Sequence, residues 1–325
     1  MDKINFGITS IAFVLLVSGC VGQNAGPTQT DIADVLIATN QPVIPSQPTA
    51  GSSFTVRLAV ENQHGTEFAD GVEAYLFDSG KCKVSSVNDK SKSPDKDGKY
   101  ALLENQPLRF APGQQELVKI VFDAPPANQI VGLSATCPVR YKVAYDFAAK
   151  SEMSLDVLNE KRLEQIEAEK GERPTSERTL NIGPGPIRIS VEPRTALPVV
   201  TDRKMQIEVF VKNIGNGNLK DGIIQMDNLE LTIPKDISVD KEPEGADDTL
   251  CNGKFHKPVA TDKGITYTNT ENIQFVKGQT NPITCYLLAP SKETVSTQRQ
   301  YTIIASIGKY KYEYFGKQID VTIKP

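Results

Sequence analysis

The sequence predicts an all-β chain built as two tandem antiparallel β-sandwiches joined by a short helix. Composition is the first reason: strand formers and turn residues are plentiful, Trp is absent and aromatics make up 7%. Such usage suits short strands between punctuated turns. Period-two alternation is the second. Phe54, Val56, Leu58 and Val60 alternate with Thr55, Arg57, Ala59 and Glu61, as a half-buried strand requires. The third is duplication. Phe54-x-Val56-x-Leu58-x-Val60-x-Asn62 recurs as Met205-x-Ile207-x-Val209-x-Val211-x-Asn213, an offset of 151 residues. At the same offset Asp70-Gly71 matches Asp221-Gly222 and Pro42 matches Pro193, while Ala124-Pro125 is echoed further on by Ala289-Pro290.

Taken in chain order, a charged start (Asp2, Lys3) leads into an apolar stretch from Ile11 to Val17. That stretch is far shorter than the ~20 residues that span a bilayer, so residues 1–19 read as a cleaved signal peptide. Val17-Ser18-Gly19-Cys20 resembles a lipobox, the processing site of prokaryotic lipoproteins. The resemblance implies that Cys20 becomes the lipidated first residue and that the chain is exported and lipid-anchored. Residues 20–31 are small and polar without periodicity, which predicts a flexible tether.

Residues 32–158 carry the first sandwich, with strand-like runs at Val72 to Phe77, Leu117 to Phe122 and Tyr141 to Phe147. Turn clusters such as Asp95-Lys96-Asp97-Gly98 and Ala111-Pro112-Gly113 separate them. The period then changes. Asn159 to Lys170 consists of strong helix formers closed by Gly171, so residues 159–178 read as a helical spacer and linker. Leu158, Leu163, Ile166 and Ala168 supply one narrow apolar stripe for docking. Gly183-Pro184-Gly185-Pro186 then opens the second sandwich, assigned to 179–325. Each copy closes on an alternating strand: Met153-x-Leu155-x-Val157, and Ile319-x-Val321-x-Ile323.

The formal charge of −4 excludes a basic nucleic-acid footprint and gives no reason for the folded part to seek anionic lipid. Five cysteines divide as one plus four. If Cys20 is lipidated, Cys82, Cys137, Cys251 and Cys285 remain, and four cysteines allow three pairings. A boundary at 159–178 leaves one pair in each half, so Cys82–Cys137 and Cys251–Cys285 is the economical choice. Zinc is the competing reading, but no Cys-x-x-Cys occurs and His64 and His256 are the only histidines.

Reactive constellations are scarce. There is no Gly-x-Ser-x-Gly elbow, phosphate-cradling Gly-rich loop or His-Glu-x-x-His, so neither an enzyme nor a cofactor is expected. Asp95, Asp97 and Glu104 imitate parts of a calcium loop, yet Ser93 stands where an Asp is needed and lysines crowd the segment. An Asp-Gly hairpin turn explains the same letters. An acidic run (Asp240, Glu242, Glu244, Asp247, Asp248) precedes Cys251 and reads as a solvated loop or a cation site. Tyr310, Tyr312 and Tyr314 leave one face of one strand. They form either a packed sheet face or a binding stripe for a partner or glycan.

Regular strand spacing suggests sandwiches of the immunoglobulin-like class in both segments. Val56 to Asn62, the Asp70-Gly71 turn, Phe110-Ala111-Pro112-Gly113 and the closing Tyr141-x-Val143-x-Tyr145 resemble adhesion-related immunoglobulin-like modules of archaeal and bacterial surface proteins. Val209 to Gly217 in the second copy is the closer match. The resemblance covers most of residues 32–325 and implies a sandwich and a surface setting, with no functional residues carried over. The expectation is a non-catalytic, membrane-anchored surface lipoprotein serving in adhesion or as an envelope-complex scaffold. Its partners would be the membrane, through the N-terminal lipid, and another surface protein or glycan. Two alternatives stand beside it. One is a lipoprotein that binds a ligand or glycan in an interdomain crevice. The other is a filament subunit that exchanges the strand Ile32 to Thr39 with a neighbour.

Overall fold

Alternation becomes strand wherever one face finds cover. The computed structural model describes residues 34–176, 178–239, 250–251 and 253–325. The expected signal peptide, Cys20, the tether over 20–31 and the acidic run lie outside the described residues. The first copy supplies β1 (Leu36–Asn40), β2 (Ser53–Asn62), β3 (Ala69–Asp78), β4 (Lys83–Val87), β5 (Gln115–Asp123) and β6 (Ala135–Leu158). In β2 the apolar set Phe54, Val56, Leu58 and Val60 is buried, as its period-two pattern requires. Strands β1, β2, β5 and β4 are neighbours in that order in one antiparallel sheet, with a short strand at Lys90–Ser91 on its edge.

The second copy rebuilds this arrangement. It supplies β7 (Ile187–Pro193), β8 (Lys204–Asn213), β9 (Leu229–Ile233), β10 (Ser238–Val239), β11 (Phe255–Ala260) and β12 (Ile265–Asn269). Strands β13 (Ile283–Leu288), β14 (Gln298–Phe315) and β15 (Ile319–Ile323) complete it. Its small sheet runs β7, β8, β13, β10, the same order as β1, β2, β5, β4. The repeated ten-residue strands β2 and β8 hold equivalent places.

The remaining long strands form one larger sheet ordered β11, β12, β9, β14, β6, β3. Its centre joins the copies. β6 and β14 pair antiparallel from Leu158↔Gln298 to Lys142↔Phe315, with a single shift between Ile307 and Tyr310. Ala124-Pro125 and Ala289-Pro290 are 165 residues apart, and the same offset carries Asp146 onto Lys311, its cross-strand partner. A local pseudo-twofold therefore passes near that pair, and the copies meet edge to edge as a symmetric dimer would.

The all-β class is the one expected, but its division differs. Strands from either side of the 159–178 boundary share a sheet, and Ile32–Pro325 forms one compact unit. Sequence periodicity fixes which face of a strand is apolar, whereas the choice of edge partner is non-local. Within the spacer, α1 spans Glu160–Lys170. The Asn159 side chain caps it by accepting from the Lys161 amide at 3.0 Å and donating to the Val295 carbonyl at 2.8 Å. Gly171, at φ 73°, ends it in the left-handed region where glycine is favoured. Leu163 is the only buried residue of the helix.

Both disulfides match the expected pairing: Cys82–Cys137 and Cys251–Cys285 close separations of 55 and 34 residues. Each contributes about 4 kcal/mol in the chain-entropy model. No helix among the described residues is long and apolar enough to cross a membrane.

Candidate functional site

The seam between the copies gathers the side chains that the sequence singled out as a stripe. Tyr145 lies opposite Tyr312 and Phe147 opposite Tyr310. The rings meet edge-on, with centroids 5.7 Å apart for Tyr145–Tyr312, 6.3 Å for Phe147–Tyr310 and 6.4 Å for Tyr145–Phe147. Edge-to-face contacts of this kind add about 0.5–1.5 kcal/mol each beyond area burial. Tyr310 and Tyr312 are buried and Tyr314 half-buried. The buried part of the stripe is therefore a packed sheet face, because Tyr145 and Phe147 flank it and the backbone at Gly185 and at Gly215 to Gly217 closes on these rings. Burial pushes the phenols of Tyr145, Tyr310 and Tyr312 well above the ordinary tyrosine value.

A polar clasp completes the seam. The buried Asp34 carboxylate accepts from the Asn216 amide at 3.1 Å and from Asn216 Nδ2 at 2.6 Å. The Val35 amide donates to Tyr145 Oη at 3.3 Å. The Tyr312 hydroxyl donates to Asn213 Oδ1 and accepts from the Gly217 amide, both at 2.9 Å. Glycine is required at two points here. A Cβ at Gly215 would sit 2.5 Å from Asp34 Oδ1 and from the Tyr312 hydroxyl, and one at Gly217 would sit 2.2 Å from the Glu313 carbonyl. Asn213 and its Gly-rich turn are legible in the sequence as punctuation, whereas the meeting of Asp34 with Asn216 is not. The two glycines flanking Asn216 were the available signal of close approach.

The equivalent turn of the first copy faces a cavity of about 460 Å³ lined by Glu61, Asn62, Gln63, His64, Gly65, Pro112 and Gly113. Fully buried Asn62 donates to the carbonyls of Glu67, Phe110 and Ala111 at 2.9–3.2 Å and accepts from the His64 amide at 3.0 Å. His64 Nδ1 in turn accepts from the amides of Thr66 and Glu67 at 3.2 and 2.8 Å. A ring nitrogen bound this way holds a loop and has no lone pair left for a general base. The counterpart cavity, about 350 Å³, is lined by Asn213, Asn218, Leu219, Gly222, Phe275 and Gly278 and contains no ionisable side chain.

The calcium letters are separately engaged. Asp95 Oδ1 accepts from the amides of Asp97 and Lys99 at 2.9 and 2.8 Å, the turn geometry of an Asp-Gly hairpin. Asp97 lies 3.5 Å from Lys99 Nζ, and Glu104 pairs with Lys90 at 2.8 Å. The Lys90 contact holds the Glu104 carboxyl below its ordinary value. Among the described residues no three His, Cys, Asp or Glu side chains gather as a metal would need. His256 Nε2 stands 3.6 Å from Asp227 Oδ1, while Asp227 is already bonded by Lys257 and Thr268. Lys257 is the main cause of a lowered Asp227 pKa.

No protein-family model and no curated protein matches this chain. Among solved structures, the secreted serine protease VesC from Vibrio cholerae is similar at a TM-score of 0.16 and 9% identity. The match covers 84% of this chain and 48% of that one, so the chain spans about half of the protease's length. A likeness at that TM-score carries no argument about fold or activity.

Proposed function

We propose that this chain is a non-catalytic, membrane-anchored surface lipoprotein whose doubled β-sandwich serves as a stiff scaffold for adhesion or for an envelope complex. The observation that carries this reading is the β6–β14 ladder, sixteen residue pairs long, which locks the two copies into one body. A receptor that closes around a ligand needs halves that move, and a shared ladder over an aromatic core opposes that motion. Two disulfides suit an oxidising, extracytoplasmic compartment. The histidines and calcium-like carboxylates described above serve turns and ion pairs, which favours a structural role over a reactive one. The filament alternative draws little support, since β1 already pairs with β2 of its own chain from Leu36↔Asn62 to Asn40↔Leu58.

Membrane fractionation tests the anchor. Cys20→Ala should turn stable membrane attachment into at most a weak, reversible one or block processing, whereas Cys82→Ala should leave the chain stably membrane-bound and less stable to unfolding. A Cys20 thiol that alkylates in the mature protein refutes the anchor. Turnover in a broad hydrolase screen, abolished by one side-chain change, refutes the non-catalytic reading.

A further inference from the structure

The loop between β5 and β6 carries the two most exposed large hydrophobic side chains among the described residues. Val131 is 89% exposed and Leu133 92%, on either side of Gly132 at φ 93°. Neither packs on its own fold. Along the chain, no ionisable side chain occurs from Ala124 to Val139, where Cys137 is in a disulfide, nor from Val35 to Val56; Asp123 borders the first run and Asp320 pairs opposite Pro138. These two runs meet at the base of the loop, where the Gly51 amide donates to the Pro125 carbonyl at 3.0 Å and the Ala124 amide to the Ser52 carbonyl at 2.9 Å. Lys324 stands beside them: its amide donates to the Pro48 carbonyl at 3.0 Å, and it follows Ile323, the partner of Ala135.

We propose that the Ile130 to Leu133 loop inserts into the hydrocarbon edge of a lipid bilayer and so fixes the standing orientation of the anchored chain. Size argues against a protein occupant. Two aliphatic side chains offer on the order of 200 Å², against the about 800 Å² per partner that a stable protein interface needs. A bilayer imposes no such minimum: it takes apolar tips, while a flanking lysine extends its ammonium to the headgroups. Here the tips carry no charge of their own, and the flanking lysine, Lys324, follows Ile323, which pairs with Ala135 at the loop's base. Reach agrees. Tyr145, bonded to Val35, lies ten residues along β6 from the base of the loop, roughly 33 Å. Residues 20–33 extend to at most about 50 Å, enough for an acyl chain and the loop to enter one membrane. The proposal rests on the anchored reading only for bringing a membrane within reach.

The test uses the mature chain with Cys20→Ser, which removes any acyl chain, mixed with phosphatidylcholine/phosphatidylglycerol vesicles. Ser134→Cys adds one thiol outside both disulfides for an environment-sensitive fluorophore. Vesicles should shift its emission to the blue, and Val131→Asp with Leu133→Asp should abolish the shift and weaken co-sedimentation by about 100-fold or more. Unchanged melting of the double variant would show that folding is intact, as expected for side chains this exposed. Absence of both the shift and the co-sedimentation overturns the insertion, even if lipidated wild type still fractionates with membranes. Oligomers in light scattering that the double variant abolishes would place a second copy on the loop and overturn it equally. The converse pattern, in which Cys20→Ala stays on membranes until the loop is also changed, supports insertion and removes the acyl anchor.

Discussion

Asn62 and Asn213 end equivalent strands 151 residues apart, and each bonds the amide two residues on. Their remaining bonds go to different places. Asn62 ties together carbonyls of its own copy, at Glu67, Phe110 and Ala111. Asn213 donates to the Gly217 carbonyl of its own turn and accepts from the Tyr312 hydroxyl at the seam, and the same turn carries Asn216, whose amide and side chain reach Asp34 of the other copy. One turn closes a sandwich, while the other helps to close the joint between two. The contrast teaches that two strands sharing one apolar pattern can be given different tasks by the polar groups of the turns that follow them.

The largest test removes a seam ring. Tyr312→Ala should cost about 3–5 kcal/mol in urea unfolding, the range for deleting a buried aromatic. It should also split one far-ultraviolet transition into two, because the copies lose their common core. Phe54→Ala, which breaks the stacked Phe54–Phe122 pair (5.1 Å) of the first small sheet, should cost a similar amount without splitting. If the two variants behave alike, the seam has no special coupling role.

Next comes alkaline pH. The seam phenols are held neutral by burial, so their folded pKa values exceed the unfolded value near 10. Above pH 10 the unfolded chain releases these protons and the folded chain keeps them. Stability present below pH 10 is therefore lost as pH rises, by about 1.4 kcal/mol per pH unit for each such phenol. Tyr312→Phe should flatten this slope by one phenol in melts taken between pH 10 and 12. The Phe54–Phe122 region has no phenol to titrate, and Phe54→Ala should leave the slope unchanged.

Much of this was legible from the chain alone, and the limit has a physical cause. Alternation placed β2 and β8, and a helix-forming run with a closing glycine placed α1. One cysteine pair per copy then gave both disulfides. These are local signals or depend only on order along the chain. The stripe at Tyr310, Tyr312 and Tyr314 was legible as a face, but its cross-strand neighbours come from β6, about 165 residues earlier in the chain. Alternation is blind to a partner that distant. Likewise Asp34 reads as a lone acid before a strand, and only the fold brings it to Asn216. The Ile130 to Leu133 loop left one trace in the sequence, a long run without charge, which propensity reasoning does not weigh.

The finest test returns to the two asparagines through double-mutant cycles. Asn213→Ala and Asn62→Ala should each destabilise by about 1–3 kcal/mol, since each leaves buried backbone or hydroxyl groups without a partner. Their couplings should differ. Asn213 Oδ1 and the Tyr312 hydroxyl share a 2.9 Å hydrogen bond, so Asn213→Ala combined with Tyr312→Phe should depart from additivity by about 0.5–3 kcal/mol. Asn62 has no bond to Tyr312 among its four recorded partners, so Asn62→Ala with Tyr312→Phe should add within about 0.5 kcal/mol. Urea midpoints at constant slope suffice to read both cycles. Equal couplings would mean that the two turns serve their copies alike, and the assignment of the Asn213 turn to the joint would fail. A coupling confined to Asn213 would instead place the tie between turn and seam at the Asn213–Tyr312 hydrogen bond.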